Sequence, residues 1–292
     1  MTIHERAYAK INLYLDVTKK RADGYHDIVS VMQTVDLFDE VQVCAMPAAE
    51  TAITLTVQGA PHLPADAHNL AYRAALAYLS AANLDAEVHI TLRKRIPIGA
   101  GLGGGSADAA AVLRAMQSIL CALDADALSS VAASIGSDVA FCLVGGTALC
   151  LGRGEQVSPV PPRAPRFYVL ALGGESVSTP EAYRMLDTAF SNFDGSCTTA
   201  PDGLDGQWRS YLADPDAKMP PLYNIFEDVI FPVCPRAAAL CERLRSLGYP
   251  ALMSGSGPTV FALAPSRDEA QTLARTLSRE GILAISVTDA AR

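Results

Sequence analysis

The sequence predicts an α+β fold. Runs of alternating apolar residues, typical of strands, are interspersed with runs in which apolar residues recur every three or four positions, typical of helices. These segments follow one another without the strict strand–helix alternation of a parallel α/β protein. With 292 residues, half of them hydrophobic and 18% charged, the chain can form one large domain or two of ordinary size.

The N-terminal part of the chain is predicted to be rich in strands. Alternation predicts a strand at residues 7–17, two short strands within 28–46, and further strands at 53–57 and 88–92. Residues 69–83 are rich in alanine and leucine and predict a helix between the last two strands.

A glycine-rich loop precedes the next helices. Gly99 to Gly105 contains five glycines in seven residues, and the apolar periodicity of 106–123 predicts a helix after it. Ser106 is the predicted N-cap of this helix, with Asp108 in its first turn. Residues 125–135 predict another helix.

The C-terminal half is predicted to begin near a proline-rich stretch at 158–165. Before it, residues 139–151 are strand-like with a Gly-Gly turn, so we expect one domain at 1–158 and a second at 159–292. In the second, the patterns predict strands at 167–172 and 251–253 and helices at 235–247 and 267–280. They also predict irregular, mobile surface at 191–221 that could cover a site.

The glycine loop predicts anion binding. Glycines let backbone N–H groups approach a ligand closely, and a following helix N-terminus favours negative charge, so the pair suits phosphate; the alternative is a flexible linker or tight turn. No Gly-Lys-Ser/Thr follows, which excludes a Walker A loop. Gly99, Gly101 and Gly104 match the dinucleotide fingerprint, but the acidic residue at the right spacing, Asp124, ends a helical pattern rather than a strand.

Composition excludes several classes of function. A net charge of −8 disfavours nucleic-acid binding, and the basic run 93–95 is interpreted as an exposed strand end, or else as a means of steering a phosphate-bearing ligand. Without a CxxC pair, HExxH or Cys/His cluster, we expect no metal site. The absence of a signal peptide pattern and of a long apolar segment predicts a soluble, cytoplasmic protein. Four cysteines in apolar segments are predicted to be buried thiols: Cys121, Cys142, Cys150 and Cys241.

Several polar side chains could form a site. Lys10 and Asn12 share one face of an apolar strand, where the lysine either faces solvent or points its ammonium group into a site. Asp138 lies two residues after Gly136 and could cap a helix or accept a proton from a substrate hydroxyl. Tyr25 and His26 follow an Asp-Gly turn, where they could be structural or could stack on a flat base. A second glycine loop at 254–258 is a turn or closes on the phosphates from the other side.

Together these motifs resemble those of the GHMP kinases. The resemblance is carried by two glycine motifs, Pro97–Ala107 and Met253–Thr259, and by three segments at 9–13, 21–26 and 136–141. It is strongest to the branch that phosphorylates a cytidyl-methylerythritol, because the Arg-Ala-Asp-Gly-Tyr-His segment is absent from other branches.

The resemblance implies a two-domain GHMP kinase fold, with an N-terminal domain like ribosomal protein S5 domain 2 and a ferredoxin-like C-terminal domain. It implies ATP-dependent phosphorylation of the 2-hydroxyl of the cytidylated acceptor in non-mevalonate isoprenoid synthesis, with Mg²⁺ accompanying the nucleotide. Lys10 and Asp138 match the catalytic pair, and the substrate contacts match Asn12, Tyr25, His26, Thr179 and Tyr183. The implied ATP-binding residues are Pro97, Ile98, Gly99, Ala100, Gly101, Leu102, Gly103, Gly104, Gly105, Ser106 and Ala107.

Two departures from the family pattern lie in the C-terminal half. Gly173-Gly174 stands where the family usually has proline, and Ile225 follows Asn224 where the family has aspartate. Two other functions remain open: a GHMP-type decarboxylase acting on a phosphorylated mevalonate, which would not need the Tyr25–His26 turn, and a nucleotide-binding module without catalysis.

Overall fold

The computed structural model describes residues 1–174, 177–190, 206–214, 217 and 219–290. Its strands are β1 (Thr2–Lys20), β2 (His26–Pro47), β3 (Ala52–Gln58), β4 (Ala86–Arg93), β5 (Thr147–Leu151), β6 (Gln156–Pro159), β7 (Phe167–Leu172), β8 (Tyr223–Asn224), β9 (Ala251–Met253), β10 (Thr259–Ala264) and β11 (Ala284–Thr288). Its helices are α1 (Leu70–Ala82), α2 (Gly104–Leu120), α3 (Ala125–Ile135), α4 (Ser137–Val144), α5 (Thr179–Ala189), α6 (Gly206–Ala213), α7 (Glu227–Ile230), α8 (Pro235–Ser246) and α9 (Arg267–Arg279).

The first sheet is built around a long antiparallel pair, β1 and β2. Its order is β3-β4-β2-β1-β8, and β5 adds to β2 and carries β6. Strand β3 runs parallel to β4, and β8 runs parallel to β1. Helices α1 and α2 pack on one another, and their small residues, such as Ala74, Ala109 and Ala110, are buried with Val88 and Ile90 of β4. Small side chains let a helix approach a sheet closely, so α2 lies directly on β1 and β2.

The second sheet, of order β11-β7-β10-β9, is antiparallel and buried on both faces. Successive residues of β7 point to opposite faces. Val169 therefore packs with α8 and α9, whereas Tyr168 and Leu170 pack with Ile11 and Leu13 of β1. This shared core joins the two sheets. It thereby fixes the relative positions of the two glycine loops, one after β4 and the other after β9.

Most predicted elements are confirmed. Helices α1, α3, α8 and α9 match the predicted helical segments, and Asn69 and Asp124 cap α1 and α3 by accepting bonds from Ala71 and Ala127. The prediction of an α+β fold is also confirmed.

Other predictions are wrong at particular elements. Residues 28–46 belong to one strand, because a register shift with extra residues in β2 between Thr34 and Phe38 breaks the alternation without ending the pairing with β1. Residues 139–144 form the end of α4 rather than a strand; a short apolar run does not distinguish a buried helix from a strand. Strands β10 and β11 were not predicted at all.

The start of α2 also differs from the prediction. The helix begins at Gly104, and its N-cap is Gly103, at a φ of +69°, without a side-chain cap. Ser106 lies in the first turn and is not the N-cap. Asp108 lies beyond that turn, and its carboxylate pairs with a lysine instead of the helix N-terminus. Cys121 is exposed rather than buried, because it ends α2 in the left-handed conformation.

Two expectations concern the chain beyond the proline-rich stretch. The predicted domain boundary at residue 158 stays a prediction. Strand β8 follows the proline-rich stretch in sequence but belongs to the first sheet. Most of the predicted irregular segment at 191–221 lies outside the described residues, but its described part includes helix α6, whose Trp208 and Tyr211 are buried. Among the described residues, no helix is long and apolar enough to cross a membrane.

Candidate active site

A cleft of about 1270 Å³ lies where the two glycine loops meet the β1–β2 hairpin and the start of α5. It gathers residues that are far apart in the sequence, including Lys10, Asp138 and Thr179. All the predicted site residues line it except Ala107, which is buried within α2.

The first glycine loop is shaped by close packing against Lys10. The backbone N–H of Lys10 donates to the carbonyl of Leu102 at 2.9 Å. At Gly103 a Cβ atom would lie 2.8 Å from Lys10 Cγ, so only glycine fits there. The first N–H groups of α2 follow directly and have no partner within the helix, as is general for helix N-termini. The start of α2 therefore offers an anion the N–H groups of Gly104, Gly105 and Ser106.

The second glycine loop packs directly on the first. Ser254 Oγ donates to the carbonyl of Gly101 at 3.0 Å, and a Cβ on Gly101 would overlap the carbonyl oxygen of Ser254. Asn224 stabilises this loop, because its Nδ2 donates to the carbonyls of Met253 and Gly255 at 2.7 and 2.8 Å. The two loops thus form one rigid rim on the cleft.

Lys10 and Asp138 form an ion pair on this rim. Lys10 Nζ lies 3.2 Å from Asp138 Oδ2 and donates to Asn12 Oδ1 at 2.8 Å. Asn12 in turn donates from Nδ2 to Ser30 Oγ at 2.9 Å, which orients its amide. Lys10 is 5% exposed, so its side chain points into the site and does not face solvent. Asp138 lies in the first turn of α4 without capping it; the N-cap is Gly136.

Tyr25 and His26 have different surroundings. Tyr25 lies in the loop and is 55% exposed, with the guanidinium of Arg153 5.0 Å from its ring centre. His26 begins β2 and is buried; its ring stacks on that of Tyr183 at 4.7 Å. Thr179 Oγ1 lies 3.2 Å from Ser256 Oγ, so the start of α5 contacts the second glycine loop.

A buried ion triad supports the first glycine loop. Lys94 Nζ lies 2.5 Å from both Asp39 Oδ2 and Asp108 Oδ2, and Asp39 Oδ1 accepts backbone N–H bonds from Arg95 and Ile96. The triad joins β2, α2 and the segment that enters the loop. The interpretation of residues 93–95 as an exposed strand end is therefore wrong for Lys94, which is buried between flanking arginines.

The triad contains two carboxylates and one ammonium group, and this excess of negative charge affects the pKa of Asp108. Burial, together with the neighbouring charge of Asp39, outweighs the attraction of Lys94 and raises the pKa of Asp108 to about 7. Its second oxygen, Oδ1, is buried and has no hydrogen-bond partner among the described residues.

We expect Asp108 to make stability depend on pH. Because its pKa is higher in the folded protein than in the unfolded chain, the native state holds the proton more tightly, and this contribution to stability falls as pH rises towards 7. Urea unfolding of wild type and Asp108→Asn at pH 5 and pH 8 measures this contribution to the free energy of unfolding. The advantage of wild type over Asp108→Asn should be roughly 3 kcal/mol smaller at pH 8 than at pH 5, because the loss extends over about two pH units, up to the pKa of about 7, at about 1.4 kcal/mol per unit. The exposed Asp268→Asn is the control, and an advantage that is equal at both pH values would contradict the expectation.

The two departures from the family pattern have structural reasons. The N–H of Gly173 donates to the carbonyl of Pro258 at 3.1 Å, a bond that proline lacks, and a Cβ there would lie 2.6 Å from the Cα of Ala237. Gly174 has a φ of +121°, which proline cannot adopt. Ile225 is 4% exposed and packs in the core beneath the second sheet.

Sequence reasoning missed Asp39, and it missed the supporting roles of three residues in segments that it had singled out for other reasons. Asp39, Lys94, Asn224 and Ser254 contact the loops only because of tertiary packing. For Lys94 the sequence does hold a local signal. It lies between two arginines at the end of β4, where alternation of side chains predicts that the middle one points inward.

Known proteins resemble this chain over most of its length. The model of the GHMP kinases N terminal domain matches residues 69–146, and that of the GHMP kinases C terminal matches 211–283. The 4-diphosphocytidyl-2-C-methyl-D-erythritol kinase of Geobacillus kaustophilus is 42% identical over 266 residues, which cover 90% of this chain and 88% of that protein. The protein of the same name from Bacillus subtilis is 39% identical, with coverage of 94% and 92%.

Solved structures are similar over nearly the whole length. A crystal structure of 4-(cytidine 5'-diphospho)-2C-methyl-D-erythritol kinase matches with a TM-score of 0.76 and 35% identity, covering 99% of this chain and all of that one. Homoserine kinase from Cytophaga hutchinsonii matches with a TM-score of 0.73 and 21% identity, covering 99% of this chain and 95% of that one, a likeness of fold alone.

Proposed function

Since the chain belongs to the GHMP kinases, in their 4-diphosphocytidyl-2-C-methyl-D-erythritol kinase branch, we propose that it phosphorylates the 2-hydroxyl of that cytidylated acceptor. The phosphoryl donor is ATP, as in the family. The acceptor is a small molecule, and the reaction belongs to the non-mevalonate route to isoprenoids.

The ion pair of Lys10 and Asp138 is the observation that carries the proposal. In it, a carboxylate that can take the proton of an attacking hydroxyl lies 3.2 Å from a buried ammonium group at the glycine loop. We assign Asp138 as the general base and Lys10 as the group that stabilises charge on the transferring phosphoryl group. Phosphoryl transfer needs mostly positioning and charge stabilisation, so few catalytic side chains are required.

The nucleotide triphosphate is proposed to lie along residues 97–107. The N–H groups at the start of α2 support phosphate binding there, and the second glycine loop closes the same rim through Ser254 and Gly101. In this assignment Ala107 contributes to the helix rather than contacting the ligand, because it is buried.

Mg²⁺ is proposed to arrive with ATP. The described residues hold no cluster of three or more His, Cys, Asp or Glu that could enclose a metal ion. One partly exposed carboxylate, Asp138, and the Ser106 hydroxyl both line the cleft, a donor set that fits an ion held mainly by phosphate and water. When bound, Mg²⁺ would neutralise charge on the phosphates.

The acceptor is proposed to bind opposite the nucleotide. The exposed ring of Tyr25 offers a face for the pyrimidine, and the buried His26 offers a fixed polar edge. Asn12, Thr179 and Tyr183 line the path from these rings to Asp138.

ATP consumption with a panel of acceptors tests this function. The panel holds the cytidylated methylerythritol, mevalonate, mevalonate diphosphate and homoserine, and carbon dioxide is measured alongside ADP. We expect ADP formation with the cytidylated acceptor and no carbon dioxide with any. Release of carbon dioxide from mevalonate diphosphate would instead indicate a decarboxylase. No turnover with any acceptor would indicate a nucleotide-binding module.

A further inference from the structure

We propose that Asp187 is a positioning residue for the acceptor, which acts by fixing the imidazole of His26. The proposal rests on the proposed function, because it takes His26 as part of the acceptor pocket. It goes beyond that function in assigning a role to a carboxylate on α5 that belongs to neither the ATP loop nor the catalytic pair.

Asp187 joins α5 to the β1–β2 hairpin through both of its oxygens. Oδ1 lies 2.8 Å from His26 Nε2, and Oδ2 accepts from Lys20 Nζ at 2.6 Å. The His26 side chain is 5% exposed and that of Asp187 is 23% exposed, so the bond to His26 lies largely away from solvent. Burial works against the charge of Asp187, but the bonds from Lys20 and His26 outweigh it and hold its pKa below the usual range.

The histidine ring is held on its face as well as at its edge. Tyr183 precedes Asp187 by four residues, so both side chains lie on the same side of α5. The rings of Tyr183 and His26 are stacked at 4.7 Å with an interplanar angle of 21°. Tyr183 is itself held edge-on by Phe226 at 5.0 Å. One helix face thus contacts His26 with an aromatic ring and a carboxylate together.

The carboxylate also determines which ring nitrogen carries a proton. An ionised carboxylate only accepts hydrogen bonds, so Nε2 of His26 must be the donor in this contact. A flip of the ring would exchange Nε2 for carbon and lose the bond. The hydrogen-bonding pattern that His26 presents to an acceptor is therefore set by Asp187.

His26 adjoins Tyr25, and the two rings are expected to contact the same base. Displacement of His26 would thus disturb acceptor binding while leaving the ATP loop untouched, because no described contact of Asp187 reaches residues 97–107. We expect Asp187→Ala to raise KM for the cytidylated acceptor roughly ten- to hundredfold, the range for loss of a hydrogen bond to a charged group. KM for ATP should stay unchanged.

Steady-state kinetics with both substrates varied, together with the Tm of each variant, test the proposal. Asp187→Asn keeps an oxygen that can accept from Nε2 and should recover part of the affinity. Lys20→Met is the matched control, because it removes the other partner of Asp187 and keeps the bond to His26. An equal rise in acceptor KM for Lys20→Met and Asp187→Ala would overturn the proposal, since anchoring of α5 would then be the cause.

The double variant separates this proposal from the proposed function. If Asp187 acts through His26, Asp187→Ala adds no further loss to His26→Ala, so the two effects are not additive. Full additivity would overturn the proposal. If His26→Ala raises the acceptor KM and Asp187→Ala does not, this inference alone fails. If His26→Ala leaves the acceptor KM unchanged, the pocket assigned under the proposed function fails first.

Discussion

Asp138→Asn is expected to lower kcat by roughly two to four orders of magnitude, the range for loss of a general base. Asparagine has the shape of aspartate but cannot take the proton of the acceptor hydroxyl. The ATP loop has its own contacts, through Leu102 to the backbone of Lys10 and through Gly101 to Ser254. KM for ATP should therefore change little.

Single-turnover phosphoryl transfer at saturating acceptor and ATP measures this effect most directly. Asp126→Asn is the control, because Asp126 is an exposed aspartate in the first turn of the preceding helix, α3. The control should keep full activity. A single-turnover rate near that of wild type for Asp138→Asn would show that another group takes the proton.

Gly101→Ala is expected to abolish most ATP-dependent turnover. Gly101 has a φ of +74°, where an L-residue costs about 1–2 kcal/mol, and its Cβ would overlap the carbonyl oxygen of Ser254. The two glycine loops would then separate, because their contact is this close approach. We expect KM for ATP to rise at least about tenfold, which corresponds to ~1.4 kcal/mol, and Tm to fall.

Gly105→Ala is the matched control in the same loop. Gly105 lies inside α2, and a Cβ there would meet only Leu70 Cδ1, at an ordinary 3.5 Å. Alanine favours helix over glycine by about 1 kcal/mol, so Tm should rise or stay the same. Ser254→Ala removes only the hydroxyl bond to Gly101 and should give a smaller rise in KM than Gly101→Ala. Wild-type KM and Tm for Gly101→Ala would contradict the close contact.

Elements with strong local signals could be predicted from the sequence. Helix α1 was predicted because residues 69–83 are rich in alanine and leucine, and the side chains of Asn69 and Asp124 cap α1 and α3 in the structure. Strand β2 was divided in two because its irregularity between Thr34 and Phe38 disrupts the alternation, and only pairing with β1 makes it continuous. Residues 139–144 were assigned to a strand because a short run of uninterrupted apolar residues shows no periodicity that distinguishes a helix from a strand.

For the candidate site, too, residues with a local sequence signal could be predicted, and contacts that depend on tertiary packing could not. Lys10 could be proposed from sequence because a lysine in an apolar strand is locally unusual, and the resemblance to the GHMP kinases added Asp138, whose local pattern also fits a helix cap. Their ion pair could not, since it depends on α4 packing beside β1. Asp187 gave no local signal, and its contact with His26 spans 161 residues.

The packing of Lys10 against Gly103 has a consequence for inhibition. The backbone of this lysine is bonded to the loop at Leu102, and its side chain fills the space above Gly103. We therefore expect a compound that separated the two glycine loops to disturb the ion pair of Lys10 with Asp138 without occupying the acceptor pocket. Such a compound would slow the chemical step at every acceptor concentration, so added acceptor would not restore the rate.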